Sequence, residues 1–511
     1  MRAPAPGSAD GAPAGLGAPA GLGAPAGLGG PIELDDAVEQ YAAGAVLLDP
    51  RGARLLRLSP AGQEAVRRLG TVAAGSAGEG ALRRRLLAAG LAHPRPGVPP
   101  PELGQKVCVL VPVRDRPEAL ARCLDAVARA GPKGLEVVVV DDGSLEPART
   151  AAVAAAAGAR LVRRSESGGP AVARNTGLAG LERPLVALLD SDCRPAPGWL
   201  ERLAGHLDDP SVVAVAPRVR EVLDGGSVRA RYGASRSPLD LGPHPAEVTP
   251  GGRVSYVPSA ALLLRREALE VGFDPGLRYG EDVDLVWRLL AGGGRVRYAP
   301  EAHVEHDGPG SWAGLLGRRF RYGTSAGPLA RRHGSALAPL RLAPGTAAGV
   351  LGALSGWPGL AAGSLAVATV RLVRRVGPAG VPARRAARLA LAGTAGGAEA
   401  AGRAGWMLFA PLLVTAARPR SSPEGARRRV AVGTPGARRV AAVALTVGPP
   451  LLEWRRRRPP VDPVRYGAAC LADDLAYGVG VWWGALTSGT VDPLLPRLSR
   501  SSPRRSPAWR R

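Results

Sequence analysis

The chain has 511 residues and a formal net charge of +24, enough length for two or three domains with a sizeable core. Its basic residues are almost all arginine, with Lys106 and Lys133 the lysines, and Ala, Gly and Pro are abundant, so the charge reads as compositional bias and nucleic-acid binding is set aside. Aromatics make up 4%, too few for base-stacking platforms, and the four cysteines (Cys108, Cys123, Cys193, Cys470) form no CxxC, which excludes a disulfide scaffold or zinc site and fits a reducing compartment.

Residues 1–30 repeat GAPAGL three times between Gly11 and Leu28. Such a segment cannot bury a core and is expected to be a flexible tail, with no secretory signal preceding the rest. Residues 31–100 then carry a small α+β unit. GAVLLD (Gly44–Asp49) and ARLLRLS (Ala53–Ser59) enclose Pro50-Arg51-Gly52, a hairpin signal. Ser59-Pro60 supplies a cap and a first-turn proline for a helix ending near Gly70, and EGALRRRLLAAGL predicts another. This winged-helix-like order resembles the PqqD-like domains, which hold peptide leaders. An accessory domain without that role is the alternative.

Across residues 104–325 the rhythm changes to strand–helix alternation. KVCVLVPVR, LEVVVVDDGS, RLVRR and PLVALLDSD predict strands, separated by helices such as PEALARCLDAVARA. Apolar strands without alternation predict a parallel, doubly wound α/β sheet with its ligands beyond the strand C-termini. Residues 326–495 turn apolar again. Leu342–Val370 spans 29 residues without a charge, broken by Pro358, and shorter apolar stretches follow at Trp406–Ala417, Val440–Leu452 and Tyr477–Leu486. Arginine runs at 427–429 and 455–458 lie between them. A membrane-associated helical region at an anionic cytoplasmic leaflet is expected, with a soluble helical domain as the alternative. Residues 496–511 form a basic tail.

Three carboxylate features punctuate the α/β segment. Asp141-Asp142-Gly143-Ser144 ends one strand, Asp190-Ser191-Asp192 ends another, and Glu281-Asp282 opens an amphipathic helix. Each alone is equally a turn or a helix cap. An Asp-x-Asp can also hold a hard cation against substrate phosphates. Their order along one sheet, followed by His303 and His306, makes the joint signal specific.

That order resembles the inverting family 2 glycosyltransferases with their GT-A fold. VPVRDRPEALARCLDAV and GGPAVARNTGL are similar to that family's nucleotide loop and its Ala-Arg-Asn helix. The resemblance implies a UDP-sugar donor held by Pro112, Arg114, Asp141, Asp142, Arg174 and Asp190. Asp141 would meet uracil, Asp190 the ribose, and Arg174 the diphosphate. Asp192 with His306 would hold Mn2+ or Mg2+, His303 being the second choice. Asp282, beside Glu281, would be the general base. Arg318, Arg321 and Tyr322 would face the acceptor, in RRFRYG, which lacks the Gln and Trp of processive members. A PqqD-like unit ahead of such a domain resembles the mycofactocin-system glycosyltransferases of actinobacteria. This implies glucose transfer from UDP-glucose onto a peptide-derived redox cofactor, building a β-1,4-glucan. The alternatives are a membrane-associated cell-wall or polysaccharide transferase, and a non-catalytic peptide-binding scaffold.

Overall fold

The computed structural model describes residues 31–498 apart from 52–53, 71–74, 223–224, 271, 355–356 and 417–434. The repeat of residues 1–30, the arginines at 427–429 and the tail beyond 498 lie outside the described residues.

In the N-terminal unit β1 (Ile32–Leu34) pairs with β5 (Ala92–Pro94), and β2 (Glu39–Tyr41), β3 (Val46–Asp49) and β4 (Arg54–Arg57) form a meander. The hairpin around Pro50 is β3–β4. Ser59 caps α1 (Pro60–Arg67) by accepting from the Gly62 N–H, and Ser76 caps α2 (Ala77–Ala88) the same way through Glu79. The sequence does not display β1, β2 and β5, because three residues are too few to show a period.

The α/β domain runs through α3 (Leu103–Lys106), β6 (Val107–Val113), α4 (Pro117–Ala130), β7 (Glu136–Asp142), α5 (Pro147–Ala156), β8 (Arg160–Arg164), α6 (Pro170–Leu178), β9 (Leu185–Leu189), β10 (Cys193–Pro195), α7 (Trp199–Ala204), β11 (Val212–Glu221), α8 (Val228–Ser235), β12 (Ala246–Glu247), β13 (Ala261–Arg265), α9 (Glu281–Ala291) and β14 (Arg295–His306). Its sheet has the order β10-β14-β11-β13-β9-β6-β7-β8, with β12 also on β14. Helices cover both faces. In β6, Val107, Val109 and Val111 join one core cluster while Cys108 and Leu110 join the other.

The sheet is mixed, which corrects the expected parallel one. β13 runs antiparallel between β9 and β11, and β10 is antiparallel to β14. Burial on both faces produces an apolar run whichever way a strand points, so direction leaves no trace in it. The HVEH segment, expected after a strand, lies within β14. Its pairing with β11 slips between Pro217 and Arg218, then resumes from His303 to His306.

The C-terminal region contains α10 (Trp312–Thr324), α11 (Ala326–His333), β15 (Arg341–Leu342), α12 (Pro344–Leu354), α13 (Pro358–Val376), α14 (Ala383–Ala416), α15 (Pro435–Arg457), α16 (Pro463–Ser488) and β16 (Arg497–Leu498), which pairs with β15. Pro358 starts a new helix, so the uncharged 29-residue stretch is two helices and not one span. No helix among the described residues is long and apolar enough to cross a membrane. α16 instead packs on α10 and α11 backbone to backbone: a Cβ at Gly323 would overlap the Tyr477 carbonyl, and one at Gly480 the Phe320 carbonyl. Buried charges secure the contact. The Tyr232 hydroxyl donates to Asp473 Oδ2 at 2.8 Å, and Arg319 Nε lies 2.6 Å from Asp473 Oδ1. Arg236 donates to Asp473 at 2.8 Å and to Asp474 at 2.7 Å.

Candidate active site

The strands β6, β7 and β9 end together and deliver the first two acidic features to one edge. Asp141 is fully buried there. Its Oδ1 accepts the Ser144 N–H at 2.9 Å, and its Oδ2 is paired with Arg163. Both carboxylate oxygens are thus engaged, and a direct bond to a base imide requires Arg163 to give way. Asp142 is likewise occupied. It accepts from Arg164 Nε (2.9 Å), Ser167 Oγ (2.8 Å) and the N–H groups of Gly168 and Gly169 (2.9 and 2.8 Å). Asp142 therefore anchors the loop that launches α6. Gly143 adopts φ +72°, and a Cβ there would collide with the backbone of Ser167, so the turn accepts only glycine. Sequence reasoning missed Arg163 and Arg164. The register pairs them with Asp141 and Asp142 across β7–β8, so two Arg closing the strand after two Asp was the available signal.

Pro112 lies near the end of β6 beside Val140. Arg114 follows, exposed, donating to Ser167 Oγ at 2.8 Å. Between them and the Asp142 loop, Asp115 Oδ1 accepts from the Leu145 N–H at 2.7 Å, while its own N–H donates to Ser144 Oγ. The two loops at the nucleotide edge are thus stitched together.

α6 places Arg174 at the centre of the site. Its guanidinium is buried, donating from Nη1 to Glu281 Oε1 (2.9 Å) and from Nη2 to Asp190 Oδ1 (2.7 Å), and it sits 5.3 Å from the Phe273 ring. The neighbouring Asn175 clamps Phe273 through both its N–H and its carbonyl. Arg174 is therefore a strut joining two acidic features: each terminal nitrogen holds a carboxylate, while its buried Nε has no hydrogen-bond partner among the described residues. Burial and the Asp282 charge push the Glu281 carboxyl up to about 7, against the pull of Arg174. Asp282 is also raised, chiefly by burial. Yet, among the described residues, Asp282 is held only by backbone N–H groups, Val283 at 2.8 Å and Ser259 at 3.4 Å. The two acids are adjacent in sequence and differ in partner.

Asp192 and His306 converge from β10 and β14, with Asp192 Oδ1 3.5 Å from His306 Nε2. His303 falls on the opposite face of β14, because three residues reverse a strand's direction of projection. Arg116 Nη1 donates to Asp192 Oδ2 at 2.6 Å from an exposed position. No group of three or more His, Cys, Asp or Glu side chains able to hold a metal occurs among the described residues. One carboxylate and one imidazole still fit a hard divalent ion that takes its remaining ligands from phosphate and water. Cys193 beside them is buried, its thiol raised far above the usual range by desolvation, so it stays protonated.

Of the expected acceptor residues, Arg318 donates to Glu221 Oε2 at 3.2 Å. The Tyr322 phenol lies within electrostatic reach of Asp282 and Asp190. Arg321 stays exposed, without an ion pair among the described residues. The structure adds Tyr256, whose phenol feels Asp282, Tyr322 and Tyr477. Tyr477 arrives on α16 from a segment whose local sequence reads only as apolar, so nothing nearby marked it for this site.

A family model described as glycosyl transferase family 2 matches residues 108–273, which include Asp141, Asp190 and Asp192 and stop before Glu281, Asp282 and His306. The pre-mycofactocin glycosyltransferase of Mycobacterium tuberculosis is 36% identical over 476 residues, 91% of this chain and 97% of that protein. The succinoglycan biosynthesis protein ExoU of Rhizobium meliloti is 31% identical over 202 residues, 37% of this chain and 58% of that protein. A solved mannosyltransferase from Pyrobaculum calidifontis, in complex with GDP-Man and Mn2+, overlays with a TM-score of 0.42 at 20% identity, covering 76% of this chain and 91% of that one. An identity of 36% sustained from end to end goes beyond a shared fragment: the chain belongs to the family 2 glycosyltransferases, in the line that includes the pre-mycofactocin glycosyltransferase.

Proposed function

We propose that the protein is an inverting glycosyltransferase that moves glucose from UDP-glucose onto the peptide-derived redox cofactor mycofactocin and extends it as a β-1,4-glucan. The observation that carries the chemistry is the unequal treatment of the two acids at the start of α9. Glu281 is tied to Arg174, while Asp282 keeps a carboxylate held, among the described residues, only by backbone N–H groups. Asp282 takes the proton of an acceptor hydroxyl as its oxygen attacks the anomeric carbon. The bond to the diphosphate breaks on the far side in the same step, inverting an α-linked donor to a β-glycoside. Arg174 keeps Asp190 turned toward the ribose, and the exposed Arg116, paired with Asp192, is placed at the mouth to turn to phosphate. Asp192 and His306 would hold Mn2+ or Mg2+, which when bound offsets charge on the departing diphosphate.

Two further features support the reading. Beside the edge strand β4, a cavity of about 460 Å³ is lined by Arg54, Leu55, Leu56, Arg85, Leu91 and Arg375, suited to an extended peptide with apolar and acidic side chains. That role for residues 31–100 is PqqD-like. In addition, α16 turns Leu475, Val479, Trp482, Trp483 and Leu486 outward at helical spacing, with Leu486 72% exposed. One helix face locked to the enzyme and the other apolar and rich in tryptophan suits the cytoplasmic face of a membrane, lying on it and not through it. The test is incubation of the purified enzyme with UDP-glucose, divalent metal and sugar-free mycofactocin precursor, followed by mass spectrometry. Stepwise hexose additions that a β-1,4-glucanase removes are expected. Glucanase-resistant products, or transfer only from another nucleotide sugar, would overturn the reading.

A further inference from the structure

Outside the catalytic edge, a cavity of about 1420 Å³ lies on the other side of the β10-β14-β11 corner. Strand register explains its character. Arg218 and Arg220 on β11 stand beside His303 and Glu305 on β14, and Arg194 on β10 also faces Glu305. Residues two apart share a face, so these five side chains point away from His306 and floor the cavity. The ends of α4 and α15 wall it with Arg129, Arg456 and Arg457. Six arginines line it against three carboxylates, Glu221, Asp240 and Glu305. Asp240 holds Arg218 as a two-pronged pair at 2.7 and 2.8 Å, which fixes a guanidinium fork at the wall. Arg220 has no carboxylate partner among the described residues, whereas Arg456 is paired with Glu399 at 2.7 Å and Arg129 with Asp125 outside the cavity.

The helix that brings Arg456 and Arg457 also indicates the occupant. Val443, Val447, Leu451 and Leu452 are exposed along α15, and Leu452, 43% exposed, stands one turn before Arg456 of the cavity wall. The opposite face is anchored by Glu453, buried against Arg236, Arg403 and Arg457. Apolar surface leading into a basic hollow matches an acyl chain leading into a charged headgroup. Guanidinium forks suit phosphate oxygens.

We propose that this cavity binds the phosphate-bearing headgroup of an anionic phospholipid and so orients the enzyme on the bilayer. The inference rests on the membrane reading above and adds a lipid class and a site to it. Neither Arg220 nor Arg456 belongs to the catalytic group, so transfer in solution should be unchanged in their variants.

The experiment measures partition of the full chain onto phosphatidylcholine vesicles, with and without phosphatidylglycerol. Wild type should prefer the anionic vesicles. Arg220→Gln should weaken that binding roughly fivefold, and Arg220→Gln with Arg456→Gln roughly twentyfold, as expected for arginines near an anionic surface. Binding to neutral vesicles should be unchanged, as should every value for the distant control Arg67→Gln. Trp482→Ser with Trp483→Ser should lower binding to both vesicle types. Equal binding of wild type to both vesicle types overturns the headgroup site and leaves membrane association standing. No binding to either overturns both. An equal loss on both types from Arg220→Gln, or no loss, also overturns the site. If inorganic phosphate binds saturably, is lost in Arg220→Gln, and abolishes the anionic preference at matched ionic strength, the ligand is a free phosphate and the lipid source is overturned.

Discussion

Two adjacent acidic pairs sit on helices of this protein, and they end in opposite circumstances. Glu281-Asp282 opens α9 in the catalytic domain, where one arginine serves the pair and takes Glu281. Asp473-Asp474 lies inside α16 in the C-terminal region, where Arg236, Arg319 and Tyr232 surround it. Surplus cation makes the second pair a fastener. Burial raises Asp474 as it raises Glu281 and Asp282, so the difference lies in partners: Asp282 has no side-chain partner among the described residues and is open to a proton. Buried carboxylates become chemically useful where the fold leaves them short of partners.

Asp282→Asn tests this contrast most severely. It should lower turnover about a thousandfold, within the range of a lost general base, while UDP binding and the melting temperature persist. Near-normal turnover would erase the distinction between the pairs. Asp473→Asn should behave inversely, costing about 3 kcal/mol in urea unfolding because it breaks a buried charge network, with turnover per folded molecule retained. Lost turnover in a fully stable variant would make that pair functional too.

The third test is titration. Glu281 holds its proton up to about pH 7 in the folded protein, against 4.5 ordinarily. Across that window the folded state retains a proton that the unfolded chain releases, so stability falls as pH rises. Glu281→Gln should flatten the difference in melting temperature between pH 5 and pH 8; an unchanged slope would show the proton to be elsewhere. The smallest effect is expected on the outer side of α16. Trp483→Ser, at a side chain 58% exposed, should change stability by less than about 0.5 kcal/mol, and a larger loss in thermal melts would mean that this face is covered.

The carboxylate-bearing strand ends were legible because each follows an apolar run that a buried strand requires and breaks into acidic residues where the strand stops. The preference for His306 over His303 came from the resemblance, and its physical ground, strand parity, shows only once Asp192 stands on one side of β14. Arg174 was visible as part of an Ala-Arg-Asn core, yet its two partners are 16 and 107 residues away, beyond any local pattern. The C-terminal apolar stretches were read correctly as helices and incompletely as surfaces. Hydropathy averages over a helix, whereas α16 divides its residues between a glycine face packed on α10 and an apolar face left open.

The sequence by itself determined the strand–helix alternation, the order of the acidic features and the class of enzyme they belong to, because local period and spacing survive in one dimension. Only the tertiary structure decided that Asp141 is closed by Arg163, that Arg174 is a strut, that β13 runs backwards and that α16 brings Tyr477 within electrostatic reach of Tyr256. Each of those depends on which distant side chains share a burial site, and burial assigns partners by proximity in space.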